Sequence, residues 1–261
     1  MRWVRFSHQE TTQYGILEGD RVRKVTGTPF AGYETQPGLV NLSEVKLLAP
    51  VIPPTFYAAG VNYATHLAHA AAGGLSRIPQ KPDIGYRANN AIIAHDEAIV
   101  VPSSSAGKLQ YEGELVVVIG KRAKHLTEAD ALGCILGYTI GNDVSERDWQ
   151  RSDRTLWRAK NTDTFKPMGP WIETDVRLED LQTTVRLNGT VRTRFHTNDM
   201  IFGVATTIAA MTRLVTLYPG DMIWMGTDEP TLDMVVGDVV EVEISGIGTL
   251  RNHLVAEAPV A

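Results

Sequence analysis

The chain has 261 residues, of which 43% are hydrophobic and 21% charged, a composition typical of an ordinary soluble globular protein. Its net charge of −5 and sequence pI near 5.8 argue against nucleic acid or an anionic membrane as a partner. The apolar runs are shorter than a membrane span, the N-terminus lacks the apolar core of a signal peptide, and Cys134 is the single cysteine. We therefore expect a cytoplasmic protein without an internal disulfide.

The N-terminal part is predicted to be a small β domain covering residues 1–48. Short apolar and β-branched runs predict strands at residues 4–6, 13–17 and 22–25. Glu18-Gly19-Asp20, between the last two runs, is typical of a hairpin turn. Prolines in the segment from Ala49 to Pro54 indicate a linker, so the main domain is predicted to cover residues 49–261.

The main domain alternates short strands with few helices. Strand patterns occur at residues 114–119, 136–140, 222–225, 239–244 and 247–250. Helical patterns occur at residues 127–135, at a short segment capped by Ser145, and at residues 202–217. Because the helices are not regularly interleaved with the strands, we predict a mixed α/β, β-rich fold and not a doubly wound sheet.

Two acidic residues at the start of the predicted strand 114–119 indicate a metal site. Side chains alternate along a strand, so Glu112 and Glu114 are expected on the same face, one step apart. Two neighbouring carboxylates are costly to bury unless a positive charge lies between them, and a hard divalent cation supplies one. Asp143 follows the apolar run 136–140 and can supply a third oxygen ligand. The alternative is that the Glu-x-Glu pair lies on a solvated face.

Other polar residues allow a functional and a structural interpretation. His66 and His69 follow an apolar strand and can face one site if their segment is helical, although lone histidines are more often structural. Lys160 lies in an irregular polar loop and is either a surface lysine or a site residue. Arg147 and Gln150 share a helix face, which is either an exposed charged face or an anion pocket.

Three motifs, in this order, closely resemble the fumarylacetoacetate hydrolase family. The first is Tyr-Glu-x-Glu-Leu-x-Val-Val-Ile-Gly at residues 111–120. The second is Gly-Tyr-x-x-x-Asn-Asp-Val-Ser-x-Arg-Asp at residues 137–148, and the third is Ala-Lys-x-x-Asp-Thr-Phe-x-Pro-x-Gly-Pro at residues 159–170. The resemblance covers residues 50 to 254, and the N-terminal unit resembles the small domain that bacterial members often carry.

This resemblance implies a mixed β-sandwich roll, a homodimer, and one bound Mg²⁺ or Mn²⁺, with Ca²⁺ as a further option. Glu112, Glu114 and Asp143 fall on the family's metal carboxylates, Lys160 on its active-site lysine, and His66 on the histidine that activates water in hydrolytic members. Four residues fall on positions that bind substrate or belong to motifs around it: Arg147, Gln150, Thr227 and Arg87.

The family's substrates are 2-oxo acids and 1,3-dioxo compounds, and the resemblance implies a 2,4-dioxo acid for this chain. The resemblance therefore implies a metal-dependent hydrolase that cleaves a C–C bond in an acylpyruvate-like acid through an enolate stabilised by the metal. Two departures weaken this implication. His69 stands where many members have the Glu of a water-positioning dyad. In the C-terminal Thr-Gly-Thr-Pro-x-Gly-Val-Gly motif Thr227 is kept, but Met225 and Asp228 replace two expected residues and the following glycines are missing. The alternatives are a decarboxylase or isomerase acting on an oxaloacetate-like acid and a non-catalytic metal-binding homologue.

Overall fold

The computed structural model describes residues 1–65 and 79–259. The N-terminal part contains short strands, and the three that the sequence predicts are confirmed. These strands are β1 (Arg2–His8), β2 (Thr11–Glu18), β3 (Arg21–Thr28), β4 (Gly32–Thr35), β5 (Val40–Asn41) and β6 (Lys46–Leu48). Gly19 makes the turn between β2 and β3 with a φ of +65°, a conformation that glycine adopts without strain.

The rest of the described chain is also rich in strands. They are β7 (Phe56–Ala59), β8 (Ile84–Tyr86), β9 (Ile92–Ile93), β10 (Ala98–Val101), β11 (Leu109–Gln110), β12 (Gly113–Ile119), β13 (Ile135–Asn142), β14 (Ser145–Glu146), β15 (Lys166–Glu173), β16 (Gln182–Leu187), β17 (Thr190–His196), β18 (Met222–Trp224), β19 (Asp233–Met234), β20 (Val239–Ile244) and β21 (Gly248–Ala256). The α-helices of the described residues are short: α1 (Glu128–Ala131), α2 (Arg147–Gln150), α3 (Trp157–Asn161) and α4 (Val204–Leu214).

The helix predicted to be capped by Ser145 begins one residue later than expected. Ser145 belongs to β14, and its hydroxyl donates a hydrogen bond to the carbonyl of Asp143 at 2.8 Å. Glu146 caps α2 instead, because its carboxylate accepts the backbone N–H of Trp149 at 2.8 Å. The prediction of Ser145 as the cap was therefore wrong, although the helix itself is confirmed.

The strands of the described residues form three sheets. The largest has the order β4-β3-β2-β1-β15-β13-β12-β18-β7-β8, with β5, β6 and β9 pairing off this path. A second sheet has the order β10-β21-β20-β16-β17, and a small third sheet has the order β14-β11-β19. Strand β1 pairs antiparallel with β15, so the N-terminal strands continue the sheet of the main part. The boundary at residue 48 stays a prediction.

Strand β12 lies between two apolar cores and is buried along its whole length. Its odd-numbered side chains, such as Leu115 and Val117, belong to the core shared with the second sheet. A Cβ on Gly113 would lie 2.9 Å from Val185 and from Val242, so the two sheets approach closely at that point. Because sides alternate along a strand, Glu112 and Glu114 project from the opposite face.

No helix among residues 1–65 and 79–259 combines the length and the apolar character needed to cross a membrane.

Candidate metal centre

The pairing of β12 with β13 brings the predicted carboxylates together. In the register of β12 and β13, Glu114 is paired with Gly141. Gly141 in turn lies two residues before Asp143. The backbone N–H of Asp143 donates to the carbonyl of Glu112 at 2.8 Å, and the side chain of Asn142 accepts the N–H of Glu112 at 3.0 Å. These bonds fix the backbone of the first acidic residue against the end of the second strand.

Glu112, Glu114 and Asp143 form a compact buried cluster. One carboxylate oxygen from each lies within 4.8 Å of the others, and the three residues are only 4%, 2% and 1% exposed. Three convergent oxygens without a nearby sulfur or imidazole ligand in the described chain suit a hard divalent cation such as Mg²⁺ or Mn²⁺. The donor set therefore fits the cation that the sequence predicts.

Two cationic side chains from separate segments, Lys160 and Arg87, contact this cluster. The Nζ of Lys160, on α3, lies 2.6 Å from Glu112 Oε2 and 2.9 Å from Asp143 Oδ2. Arg87, directly after β8, places Nη2 2.9 Å from Asp143 Oδ2. Both side chains are 7% exposed, so the interpretation of Lys160 as a surface lysine was wrong.

The environment shifts the pKa values of two of the carboxyls in opposite directions. Burial, together with the charges of Asp143 and Glu112, raises the pKa of Glu114 to about 8. Burial alone would also raise the pKa of Asp143, but the positive charges of Arg87, Lys160 and a further lysine hold it well below its usual range. Glu114 also accepts the backbone N–H of Gly226 on Oε2 at 2.8 Å.

Arg147, on α2, holds Glu112 from the other side. Its Nη1 lies 2.7 Å from Glu112 Oε1 and 2.9 Å from Gln150 Oε1. Its Nε donates to Gln110 Oε1 at 2.7 Å, and its Nη2 donates to Thr231 Oγ1 at 3.1 Å. The guanidinium is therefore held in place by side chains from three segments, and it orients a candidate metal ligand.

The cluster opens into a cavity of about 180 Å³. The predicted residues that line it are Arg87, Glu112, Glu114, Gln150, Lys160 and Thr227. Asp143 and Arg147 lie behind this wall and reach it through their contacts with Lys160 and Glu112. The predicted catalytic His66 lies outside the described residues, as does His69.

The sequence interpretation missed Lys166, Gln110 and Thr231. Lys166 is fully buried, and its Nζ lies 2.6 Å from Asp143 Oδ1. A lysine directly before the apolar run of β15 is the one local pattern that could have indicated a buried cation. Gln110 and Thr231 are far apart in the chain, and their contact, at 2.8 Å, has no local pattern that would predict it.

Comparisons with family models and with known proteins identify relatives of this chain. A family model described as "Fumarylacetoacetate (FAA) hydrolase C-terminal" matches residues 55–255, and one described as "Rv2993c-like, N-terminal" matches residues 1–50. The chain is 42% identical to Protein Rv2993c of Mycobacterium tuberculosis over 98% of both chains. It is 34% identical to the mitochondrial oxaloacetate tautomerase Fahd2a of Rattus norvegicus, covering 83% of this chain and 72% of the relative.

Among solved structures, the chain is similar to a 5-carboxymethyl-2-hydroxymuconate delta-isomerase from Mycobacterium smegmatis. The identity is 36% and the TM-score 0.90, covering 98% of this chain and 100% of the isomerase. This similarity confirms the predicted strand-rich fold. The extent of the family match, over most of the chain, also confirms the predicted family, and we conclude that the chain belongs to the fumarylacetoacetate hydrolase family.

Proposed function

We propose that this protein is a divalent-metal-dependent enzyme that shifts a proton next to the keto group of a small 2-oxo acid, as an isomerase or tautomerase. The observation that supports this most is the contact of the Lys160 ammonium with two of three buried carboxylates at the wall of a small cavity.

Glu112, Glu114 and Asp143 would hold the cation, which we propose to be Mg²⁺ or Mn²⁺. Such an ion would act as a Lewis acid towards the oxygens of a 2-oxo acid and would favour removal of the neighbouring proton. The three carboxylates are fixed by hydrogen bonds to Arg147, to the N–H of Gly226 and to buried lysines before any ligand arrives. This preorganisation lowers the cost of assembling the site.

Lys160 is proposed to stabilise negative charge on the reacting oxygen. Its ammonium lines the cavity, is almost fully shielded from water and lies within hydrogen-bond distance of two metal carboxylates. A fixed positive charge in such a site stabilises a nearby negative charge far more than the same positive charge would in water. Arg87, Gln150 and Thr227 line the same cavity and are proposed to bind the substrate's carboxylate and polar groups.

The size and charge of the cavity favour a small, strongly acidic substrate. Its volume of about 180 Å³ is below the roughly 300–1,000 Å³ of sites for drug-sized ligands. The described site includes four cationic side chains, those of Arg87, Arg147, Lys160 and Lys166, against the three metal carboxylates and Asp83, which also lines the cavity. A bound divalent ion would leave a net positive charge, which suits a dicarboxylate such as oxaloacetate.

The isomerase or tautomerase reaction is preferred because of the named relatives. Those at 34% and 36% identity carry the names of an oxaloacetate tautomerase and a delta-isomerase. Decarboxylation of an oxaloacetate-like acid is a close variant, since loss of carbon dioxide from the carbon next to the keto group places negative charge on the same oxygen. Neither reaction needs a group that activates water.

C–C bond hydrolysis of a 2,4-dioxo acid is the second candidate. The description of the matching family model and the three motifs of the catalytic part favour it. In this reaction His66 would take a proton from the attacking water. The histidine at position 69, where many members of the family have the glutamate of a water-positioning dyad, leaves the hydrolase proposal with less support than the tautomerase.

A panel of three reactions tests the proposal. Conversion of enol to keto oxaloacetate is followed by ultraviolet absorbance, decarboxylation by pyruvate formation, and hydrolysis by pyruvate release from an acylpyruvate. We expect tautomerisation that requires Mn²⁺ or Mg²⁺ and is lost in Glu114→Gln, whereas Glu34→Gln, which changes an exposed carboxylate, stays as active as the unmodified protein. Rapid acylpyruvate hydrolysis without tautomerisation would favour the second candidate, and turnover that survives chelation would refute both.

A further inference from the structure

Lys166 is a fully buried cation without contact to the cavity. It is the first residue of β15, its side chain is 0% exposed, and it is absent from the cavity wall that Arg87 and Lys160 help to form. Its three ammonium protons have three acceptors: Asp143 Oδ1 at 2.6 Å, the carbonyl of Phe165 at 2.9 Å and the carbonyl of Val144 at 3.0 Å. An ammonium has three donors, so this one is fully satisfied in a fixed position.

The two oxygens of Asp143 consequently have different surroundings. Oδ2 faces the cavity-lining cations, with Lys160 Nζ and Arg87 Nη2 each at 2.9 Å. Oδ1 is held by Lys166 from the interior, and Arg87 Nε lies 3.4 Å from it. A cation arriving through the cavity would approach Asp143 on the side of Oδ2, where Lys160 and Arg87 lie. Moving Lys166 away from Oδ1 would instead leave the carbonyls of Val144 and Phe165 without their ammonium donor.

The same asymmetry occurs at the two glutamates. Arg147 holds Oε1 of Glu112 at 2.7 Å, and the N–H of Gly226 holds Oε2 of Glu114 at 2.8 Å. In each of the three carboxylates, one oxygen is therefore engaged by a donor other than Lys160, and Lys160 contacts the second oxygen of Glu112 and of Asp143 from the cavity wall. Such carboxylates are suited to binding a metal through a single oxygen.

We infer that Lys166 is a specificity-determining residue that restricts Asp143 to one-oxygen coordination and so makes the site select Mg²⁺ or Mn²⁺ over Ca²⁺. Ca²⁺ takes six to eight oxygens and commonly binds carboxylates through both oxygens, whereas Mg²⁺ and Mn²⁺ suit six-coordinate sites with single carboxylate oxygens. This inference rests on the metal centre of the proposed function.

The ratio of the Mn²⁺ affinity to the Ca²⁺ affinity separates the effect of one-oxygen coordination from that of simple charge repulsion. Removal of one positive charge strengthens the binding of every divalent ion by a similar factor, because Ca²⁺ and Mn²⁺ carry the same charge. The ratio cancels that factor. A second oxygen of Asp143, together with the carbonyls of Val144 and Phe165, becomes available only if the ammonium is removed, and this change favours the larger ion.

The test measures Mn²⁺ and Ca²⁺ binding by calorimetry in the unmodified protein, in Lys166→Met and in Lys160→Met. We expect the unmodified protein to bind Mn²⁺ at least about 100-fold more tightly than Ca²⁺. Lys166→Met is expected to shift the ratio towards Ca²⁺ by about tenfold or more. Lys160→Met, which removes a charge from the cavity side of the same carboxylates, is expected to leave the ratio unchanged.

The results that would overturn the role of Lys166 differ from the result that would refute the metal centre. An unchanged ratio in folded Lys166→Met would overturn the inference and leave Lys166 as a structural counter-ion of Asp143. If that variant does not fold, equal or tighter binding of Ca²⁺ by the unmodified protein would overturn it without any substitution. Failure of the unmodified protein to bind any divalent ion would instead refute the proposed metal centre, whereas Mn²⁺-dependent turnover with an unshifted ratio would refute only this inference.

Discussion

Gly141 lies between the metal carboxylates and the core, and replacing it by alanine tests how tightly the site is packed. The residue is on β13, opposite Glu114 and two residues before Asp143. A Cβ at this position would lie 2.6 Å from two ring atoms of Trp224 and 2.8 Å from a third. Non-bonded carbons pack at about 3.5–4.0 Å, so the strand and the ring must separate by roughly 1 Å.

Trp224 has little freedom to move away. Its side chain is fully buried, its ring centroid lies 5.1 Å from that of Phe56, and its strand β18 pairs with β12 on one side and β7 on the other. Overpacking of this kind costs about 1–3 kcal/mol. For a chain of this size that corresponds to a fall in Tm of about 2–12 °C.

Calorimetric melting of Gly141→Ala measures this loss directly. Gly133→Ala is the matched control, because a Cβ on Gly133 would meet no heavy atom within 4 Å. We expect the control to melt within about 2 °C of the unmodified protein, since open surface positions tolerate a methyl group. If Gly141→Ala melted at the same temperature as the control, the close packing of Trp224 against β13 at Gly141 would be refuted.

Three further predictions concern charge. Lys160→Met is expected to keep or tighten Mn²⁺ binding but to lower turnover of the 2-oxo acid by about 10²–10³-fold, and unchanged turnover in steady-state assays would remove Lys160 from the mechanism. Because the pKa of Glu114 is raised to about 8, a metal must displace its proton, so Mn²⁺ affinity should rise about tenfold per pH unit up to about pH 8 and then level off. Affinity that is flat between about pH 6 and pH 8 in calorimetry would contradict that assignment. Burial opposes ionisation of Glu173, but the amine of Met1 and the guanidinium of Arg2 lower its pKa overall. The stabilisation of the folded protein by ionised Glu173 is therefore present at neutral pH and is lost as pH falls through the lowered pKa. Glu173→Gln should therefore destabilise the protein at pH 7 by at most about 1 kcal/mol in denaturant titrations, and a difference that persists at about pH 2 would have another cause.

The sequence was most informative where local pattern and burial coincide. The apolar run at residues 115–119 of β12 predicts a buried strand, and the two-residue spacing of Glu112 and Glu114 predicts their common face. Both features depend only on strand periodicity. The pairing of β1 with β15 joins residues that are about 170 positions apart, and no periodicity encodes such a contact.

The predicted site residues show the same limit. Lys160 could be assigned to the site only through the family resemblance, because its loop has the composition of an exposed segment. The carboxamide of Gln110 and the hydroxyl of Thr231 meet Arg147 through the pairing of β11 with β19, and tertiary pairing of that kind is not visible in either local segment. Lys166 could not be assigned to the site from its own motif. Lysine is rarely buried without an acidic partner, and the partner of Lys166, Asp143, belongs to another motif.

The most direct test of the metal centre is the stoichiometry and affinity of Mn²⁺ binding, measured by electron paramagnetic resonance on the unmodified protein and on Glu114→Gln. We expect one tightly bound Mn²⁺ per chain and binding at least about 100-fold weaker in the variant, because one of three converging oxygen ligands loses its charge. Equal Mn²⁺ affinity in the two proteins would contradict the assignment of Glu112, Glu114 and Asp143 as the metal centre.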